Sequence, residues 1–177
     1  MKTKLLLALL VPAFYVVSSC DDPKKANYFN QETTVDQSGL NFIKAAIDGG
    51  RTEVKLSTAA AHISQNPRIV RFAKMMITDH TKGIEALKAL RKKELINQHD
   101  VLSPDHRTLI DSLSKLSGAD FDKAYMQVMI ADHEKAVDLF KEETQERVAS
   151  VQTLARNTLP TIEMHLDSAK AIIATLR

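Results

Sequence analysis

The 177-residue chain carries 24 lysines and arginines against 22 aspartates and glutamates, is 44% hydrophobic, and has one cysteine and no tryptophan. That is the composition of one ordinary globular domain with enough apolar residues for a real core, and a single cysteine excludes an internal disulfide. Lys2 and Lys4 are the only charges before residue 20, so the rest of the chain is electrically neutral, and without an extended basic stripe it is a poor nucleic-acid binder.

Residues 1–19 read as a signal peptide. MKTK is a basic n-region, and the apolar run from Leu5 to Val17 is too short to span a bilayer as a stable helix. Val17-Ser18-Ser19-Cys20 resembles a bacterial lipobox, in which the cysteine becomes the lipidated first residue after cleavage. The other reading of Cys20 is a buried or reactive thiol. Several acyl chains there would hold the protein on a membrane, whereas one chain binds only marginally. Residues 20–35 are polar and lack helical period, as a tether would, and residues 36–177 form the folded domain.

Within that domain apolar residues recur at intervals of three and four, as amphipathic helices require, with no useful strand-like alternation. Helix A is predicted from about Asp36 to Ser64, through Leu40, Ile43, Ile47, Leu56 and Ala60. Gly49 and Gly50 inside it cost about 1 kcal/mol each against alanine, which demands a kink or the close approach of a neighbour. Asn66-Pro67 stops helix A and starts helix B, which runs to about Ile96 through Phe72, Met76, Ile84 and Leu87. The connection that follows carries a short helix opened by Ser103-Pro104-Asp105 and ended by Gly118. Asp120 is expected to cap helix C, from about Phe121 to Arg147, and Ser150 to cap helix D, which reaches Ile173. Pro160 either kinks helix D or starts it afresh. The expected architecture is all-α: an antiparallel up-down-up-down four-helix bundle with a short extra helix in the B to C connection.

Each helix then offers one metal-capable group on its inner face. His80 shares a face with Ala73, Met76, Ile84 and Leu87, His133 with Met126, Met129, Val137 and Phe140, and His165 with Ile162, Ala169 and Ile172. Glu53 lies among Ala46, Gly49, Gly50, Leu56 and Ala60. Glu53 and His80 lie 13 residues before Asn66 and after Pro67, and His133 and His165 are equally far from Ala149 in the C to D turn. With both turns at one end, the two pairs stand about 20 and 24 Å from it at 1.5 Å per residue, close enough in height to converge. Asp79 and Asp132 precede two of the histidines. They either orient a histidine on an adjacent helix or pair on the surface with Lys82 and Lys135, three residues on. Met75, Met76, Met126 and Met129 are read as core packing, and His62, His99 and His106 receive no role.

The segments FAKMMITDHTKGIEAL, from Phe72, and YMQVMIADHEKAVDLF, from Tyr125, form a weak internal repeat around the two Asp-His pairs. Together with Glu53-Val54-Lys55-Leu56, Phe121-Asp122 and Leu159-Pro160 ahead of His165, they resemble a family of bacterial envelope proteins, domain of unknown function 4142. The resemblance covers roughly Asp36 to Ile173. It implies a ferritin-like bundle, an envelope setting often labelled outer membrane, and metal binding. A di-iron carboxylate site, however, needs Glu-x-x-His on two helices, and Ile77, Ile130 and Ile162 stand three residues before the histidines. Ferroxidase chemistry therefore lacks its bridging carboxylates.

Two readings remain. In one, Glu53, His80, His133 and His165 bind one transition-metal ion (zinc, iron, copper or manganese) in a lipid-anchored, periplasm-facing protein. In the other, a metal-free structural or interaction lipoprotein uses the same polar cluster to fix helix register. Neither contains a nucleophile with its base or a phosphate-cradling glycine loop, so hydrolase, transferase and nucleotide-binding roles have no residues to carry them, and the enzyme reading left open is a superoxide- or peroxide-handling metal centre.

Overall fold

The structure, a computed structural model, describes residues 33–176. The signal peptide of residues 1–19, Cys20 and nearly all of the 20–35 tether lie outside the described residues. Five α-helices account for most of the described chain: α1 (Gln37–Ile63), α2 (Pro67–Lys93), α3 (Pro104–Leu113), α4 (Gly118–Glu143) and α5 (Ala149–Ile173). Among the described residues no helix is long and apolar enough to cross a membrane.

Local chemistry sets most of the boundaries. Asp36 caps α1 by accepting from the Gly39 N–H at 3.1 Å, and Asn66 caps α2 by accepting from Arg68 N–H at 3.0 Å, with Pro67 in the first turn. Ser103 caps α3 in the same way through His106 N–H at 3.2 Å. The expected caps of the last two long helices differ. Helix α4 begins at Gly118, with φ +56°, so Asp120 falls in its first turn, where a carboxylate favours the positive end of the helix dipole. Helix α5 begins at Ala149, and Ser150 instead donates its hydroxyl to Glu94 at 2.7 Å. Pro160 lies inside one continuous α5, on an exposed face.

Two apolar clusters report which helix ends meet. One gathers Leu40, Phe42 and Ile47 from α1, Leu87 and Leu90 from α2, Val137 and Phe140 from α4, and Val151 and Ala155 from α5. The other gathers Leu56 and Ala60, Ile69 and Phe72, Phe121 and Tyr125, and Ala169 and Ile172. The start of α4 therefore shares an end with the start of α2, and its end with the start of α1. Arg68 at the start of α2 donates to Thr175 beyond α5 at 2.9 Å, which runs those two helices oppositely as well. The four long helices are thus up, down, down, up, and the expected up-down-up-down order is corrected. Neighbouring helices are still antiparallel around the bundle, because α1 packs on α2 and α4 while α5 packs on α4 and α2.

The physical cause is the connection after α2. Ile96 belongs to the first cluster and Leu113 to the second, so residues 94–117 return along the length of the bundle. A single long crossover is the connectivity of ferritin-like bundles. The crossover is laced to α1. Arg51 donates to the Asp100 carbonyl at 2.7 Å, Ser103 N–H donates to Asp48 at 3.1 Å, and His106 pairs with Asp48 at 2.8 Å. Arg91 at the end of α2 also pairs with Asp100.

Glu143, at the last turn of α4, is 3% exposed, and its Oε2 has no hydrogen-bond partner. Burial, with Glu146, Glu142 and Asp36 nearby, pushes its carboxyl up to about 7. The native state therefore keeps a proton that the unfolded chain releases near pH 4.5. This contribution to stability is complete below that value and is lost as pH rises through about 7. Urea unfolding should show stability falling between about pH 4.5 and 7, and Glu143→Gln should flatten that fall.

Candidate metal centre

Along every long helix, the metal-capable residue sits between members of the two apolar clusters. Glu53 lies between Ile47 and Leu56, His80 between Met76 and Leu87, His133 between Met129 and Val137, and His165 between Ile162 and Ala169. The bundle thus has a polar layer near mid-height. Glu53, His133 and His165 are 5%, 0% and 1% exposed, and His80 is partly buried.

The four side chains do converge, with distinct roles. The rings of His80, His133 and His165 lie 5.2 to 5.5 Å apart between centroids. Glu53 faces two of them from the outer side. Its Oε2 is 3.0 Å from His80 Nδ1 and its Oε1 is 3.2 Å from His133 Nδ1. His133 Nδ1 is also 2.9 Å from the Met129 carbonyl, which can only accept, so Nδ1 carries the proton and Nε2 a bare lone pair. Asp79 holds His165 in the opposite tautomer, its Oδ2 accepting from Nε2 at 3.1 Å and leaving Nδ1 bare. Asp79 therefore reaches a histidine on another helix, whereas Asp132 is paired with Lys135 at 3.6 Å.

Electrostatics keep the rings neutral. Burial lowers His80 to about 3, and the neighbouring His133 and His165 deepen the fall. Burial lowers His133 to about 4, with His165 adding to it and the Met129 hydrogen bond opposing it. His165 is also lowered by burial, against the raising influence of Asp79. Burial raises Glu53 well above the usual carboxylate range, and Asp132 adds to the rise. A cation among the rings would reverse that last effect, favouring the ionised carboxylate beside Nδ1 of His80 and His133.

Three buried imidazole nitrogens have no hydrogen-bond partner: His80 Nε2, His133 Nε2 and His165 Nδ1. Unpaired buried polar atoms cost free energy, and here each ring supplies one. One nitrogen from each ring lies within 4.8 Å of the others. The centre of such a triangle is at most about 2.8 Å from each corner, so inward shifts under about 1 Å reach the 2.0–2.1 Å of a zinc–imidazole bond. The donor set fits a transition metal. Glu53 stands outside this group of nitrogens, with both oxygens engaged by Nδ1 atoms. Helical spacing showed that Glu53 points inward but not which side of the rings it meets.

Two features escaped the sequence reading. Ser57, one turn after Glu53, forms a 2.8 Å hydrogen bond with the Tyr125 hydroxyl in the core and extends the polar layer; its signal was a serine four residues after an inward glutamate. Burial raises the Tyr125 phenol, so it stays neutral. The second is a cavity of about 260 Å³ beside the cluster, with Glu53, Asp79, His80, Asp132 and His165 in its wall. No one-dimensional pattern signals a void.

Fold and site define a helical bundle whose polar mid-layer gathers three histidines, each offering one ring nitrogen within 4.8 Å of the others. The chain belongs to the family Domain of unknown function (DUF4142), whose model matches residues 24–172. That match starts inside the stretch read as a tether. Among solved structures, the chain is similar to a DUF305 fragment from Deinococcus radiodurans, with TM-score 0.71 at 16% identity, covering 79% of this chain and 97% of that one. It is also similar to a predicted secreted DUF305 protein from Streptomyces coelicolor, with TM-score 0.65 at 15% identity, covering 77% of this chain and 92% of that one. Identities this low speak to the fold. No curated protein matches the chain.

Long-range proton–nitrogen NMR spectra of the metal-free protein should show a protonated Nδ1 for His133 and a protonated Nε2 for His165. Neither His80 nor His133 should titrate between about pH 8 and 5, given values near 3 and 4.

Proposed function

We propose that the protein is a lipid-anchored bacterial envelope protein that holds one transition-metal ion through His80, His133 and His165. Glu53 and Asp79 position the imidazoles from the outer side. The observation that carries this reading is the group of three histidines from three helices, each offering one ring nitrogen within 4.8 Å of the others, while each ring also has one buried nitrogen without a hydrogen-bond partner. Imidazole donors suit zinc, copper, iron or nickel, and manganese is the remaining candidate. Iron storage of the ferritin kind is disfavoured because Ile77, Ile130 and Ile162 replace the carboxylates that would bridge two irons. The envelope setting rests on the signal-peptide pattern, the Val17-Ser18-Ser19-Cys20 lipobox resemblance and the predicted secretion of the Streptomyces structural neighbour.

The rival is a metal-free polar layer that fixes helix register, which the Glu53–His80 ion-pair contact and the Asp79–His165 hydrogen bond favour. Metal analysis separates the two. The mature protein, offered zinc, copper, iron, nickel and manganese in turn, should retain one equivalent of at least one metal and gain thermal stability with it. His80→Ala combined with His133→Ala should lose both effects. Failure to retain stoichiometric metal from any of the five would leave the register reading standing.

The positioning carboxylates make a sharper claim. Asp79→Asn should weaken metal affinity about 10–100-fold by releasing the His165 tautomer. Asp132→Asn, whose partner is Lys135, should change it far less. Competition titration against a chelator of known affinity would measure both.

A further inference from the structure

Gly50 is a glycine for packing reasons, because a methyl group there would meet Ile84 Cγ1 at 3.3 Å. Gly49 on α1 and Gly83 on α2 are different. A methyl group at either would meet nothing within 4 Å, and both line the cavity beside the imidazoles. Each lies inside a helix, where glycine is disfavoured against alanine, and no protein neighbour requires it. What the two glycines preserve is open space.

That space has the character of a ligand site. Its volume is about 260 Å³, and Ala46, Ile84, Leu87, Phe140, Leu154 and Ile162 supply much of an apolar wall. An apolar cavity of about 150 Å³ already takes a benzene ring. Along the same wall lie His80 and His165, and His165, 1% exposed, has an unpartnered Nδ1. Three protein donors beside a cavity leave a metal with an open coordination position, the arrangement found where metals take exogenous ligands.

Charge selects the kind of head group. Glu53, in ion-pair contact with His80 and His133, and Asp79, hydrogen-bonded to His165, together balance a divalent ion, and Asp132 is already paired with Lys135. A neutral donor would add no net charge against the apolar wall, whereas a carboxylate would bury one. We propose that the cavity binds a small neutral molecule with an apolar body and one nitrogen or sulfur donor, which completes the coordination of the metal held by His80, His133 and His165. This rests on the metal-binding reading above.

The test uses the mature chain loaded with cobalt(II), whose visible absorption reports a change of ligand. Pyridine, 4-methylpyridine and 4-butylpyridine are titrated as probes, with 4-butylbenzoate as the anionic counterpart. Affinity should rise about fourfold per methylene, reaching on the order of a hundredfold from pyridine to 4-butylpyridine. 4-Butylbenzoate should bind at least about tenfold more weakly than 4-butylpyridine, since it buries a charge. Gly49→Leu and Gly83→Leu each strengthen the local helix and fill the space. Both should keep one cobalt per chain and lose the gain from the alkyl tail. Bound cobalt with equal affinity for pyridine and 4-butylpyridine overturns this inference and leaves the metal centre intact. The inference is equally overturned if the alkyl gain survives in both leucine variants, or if the benzoate binds as tightly as the pyridine. Absence of bound cobalt, together with no retention of any other metal, overturns the centre and the inference with it.

Discussion

Burial of three imidazoles and a carboxyl at mid-height is the constraint on which the rest of the molecule depends. Polar atoms removed from water must find partners or cost free energy, and this bundle supplies partners for only half of the ring nitrogens. Glu53 lies against Nδ1 of His80 and His133, the Met129 carbonyl takes the His133 Nδ1–H, and Asp79 takes Nε2 of His165. The other three nitrogens are left without a partner, and the rings stand close enough for one nitrogen of each to lie within 4.8 Å of the others. The Met129 carbonyl decides which nitrogen of His133 is free and Asp79 decides it for His165, so Asp79 acts on the site without standing among the three rings.

The apolar clusters above and below make that layer possible. Each of the four long helices contributes to both, which fixes helix rotation and height independently of the polar residues. Close packing of this kind leaves little room for a helix to turn its histidine away. The long crossover supports the same arrangement from outside, since its contacts with Asp48, Arg51 and Arg91 hold α1 against the end of α2 beside the layer. His106, without a role in the sequence reading, is part of that lacing.

Comparison with ferritin-type architecture is instructive for what differs. One long crossover and paired hairpins are shared, yet the positions that would carry bridging carboxylates hold Ile77, Ile130 and Ile162. A nitrogen-rich donor set favours a single borderline or soft ion over a pair of oxygen-bridged irons. The bundle connectivity thus says little about chemistry, and the side chains at mid-height say most of it.

Much of this was legible in one dimension. Periodicity of three and four marked the helices, Asp36, Asn66 and Ser103 announced three of their starts, and the inward direction of Glu53, His80, His133 and His165 followed from the apolar residues one turn away. Their convergence was also anticipated, although from both helical turns lying at the same end. In the structure the turns are at opposite ends, and the residues still meet because each lies near the middle of a helix about 40 Å long. Chain direction in the second hairpin depended on whether residues 94–117 turn back at once or travel the length of the bundle, and local propensity carries no information about that choice. Tertiary structure alone decided the crossover, the placement of Glu53 outside the nitrogen triangle, the split between Asp79 and Asp132, and the cavity beside Gly49 and Gly83. The reason is physical: helical spacing determines the direction in which a side chain leaves its own axis, whereas its partner depends on the height and rotation of other helices, set by contacts distant in the chain.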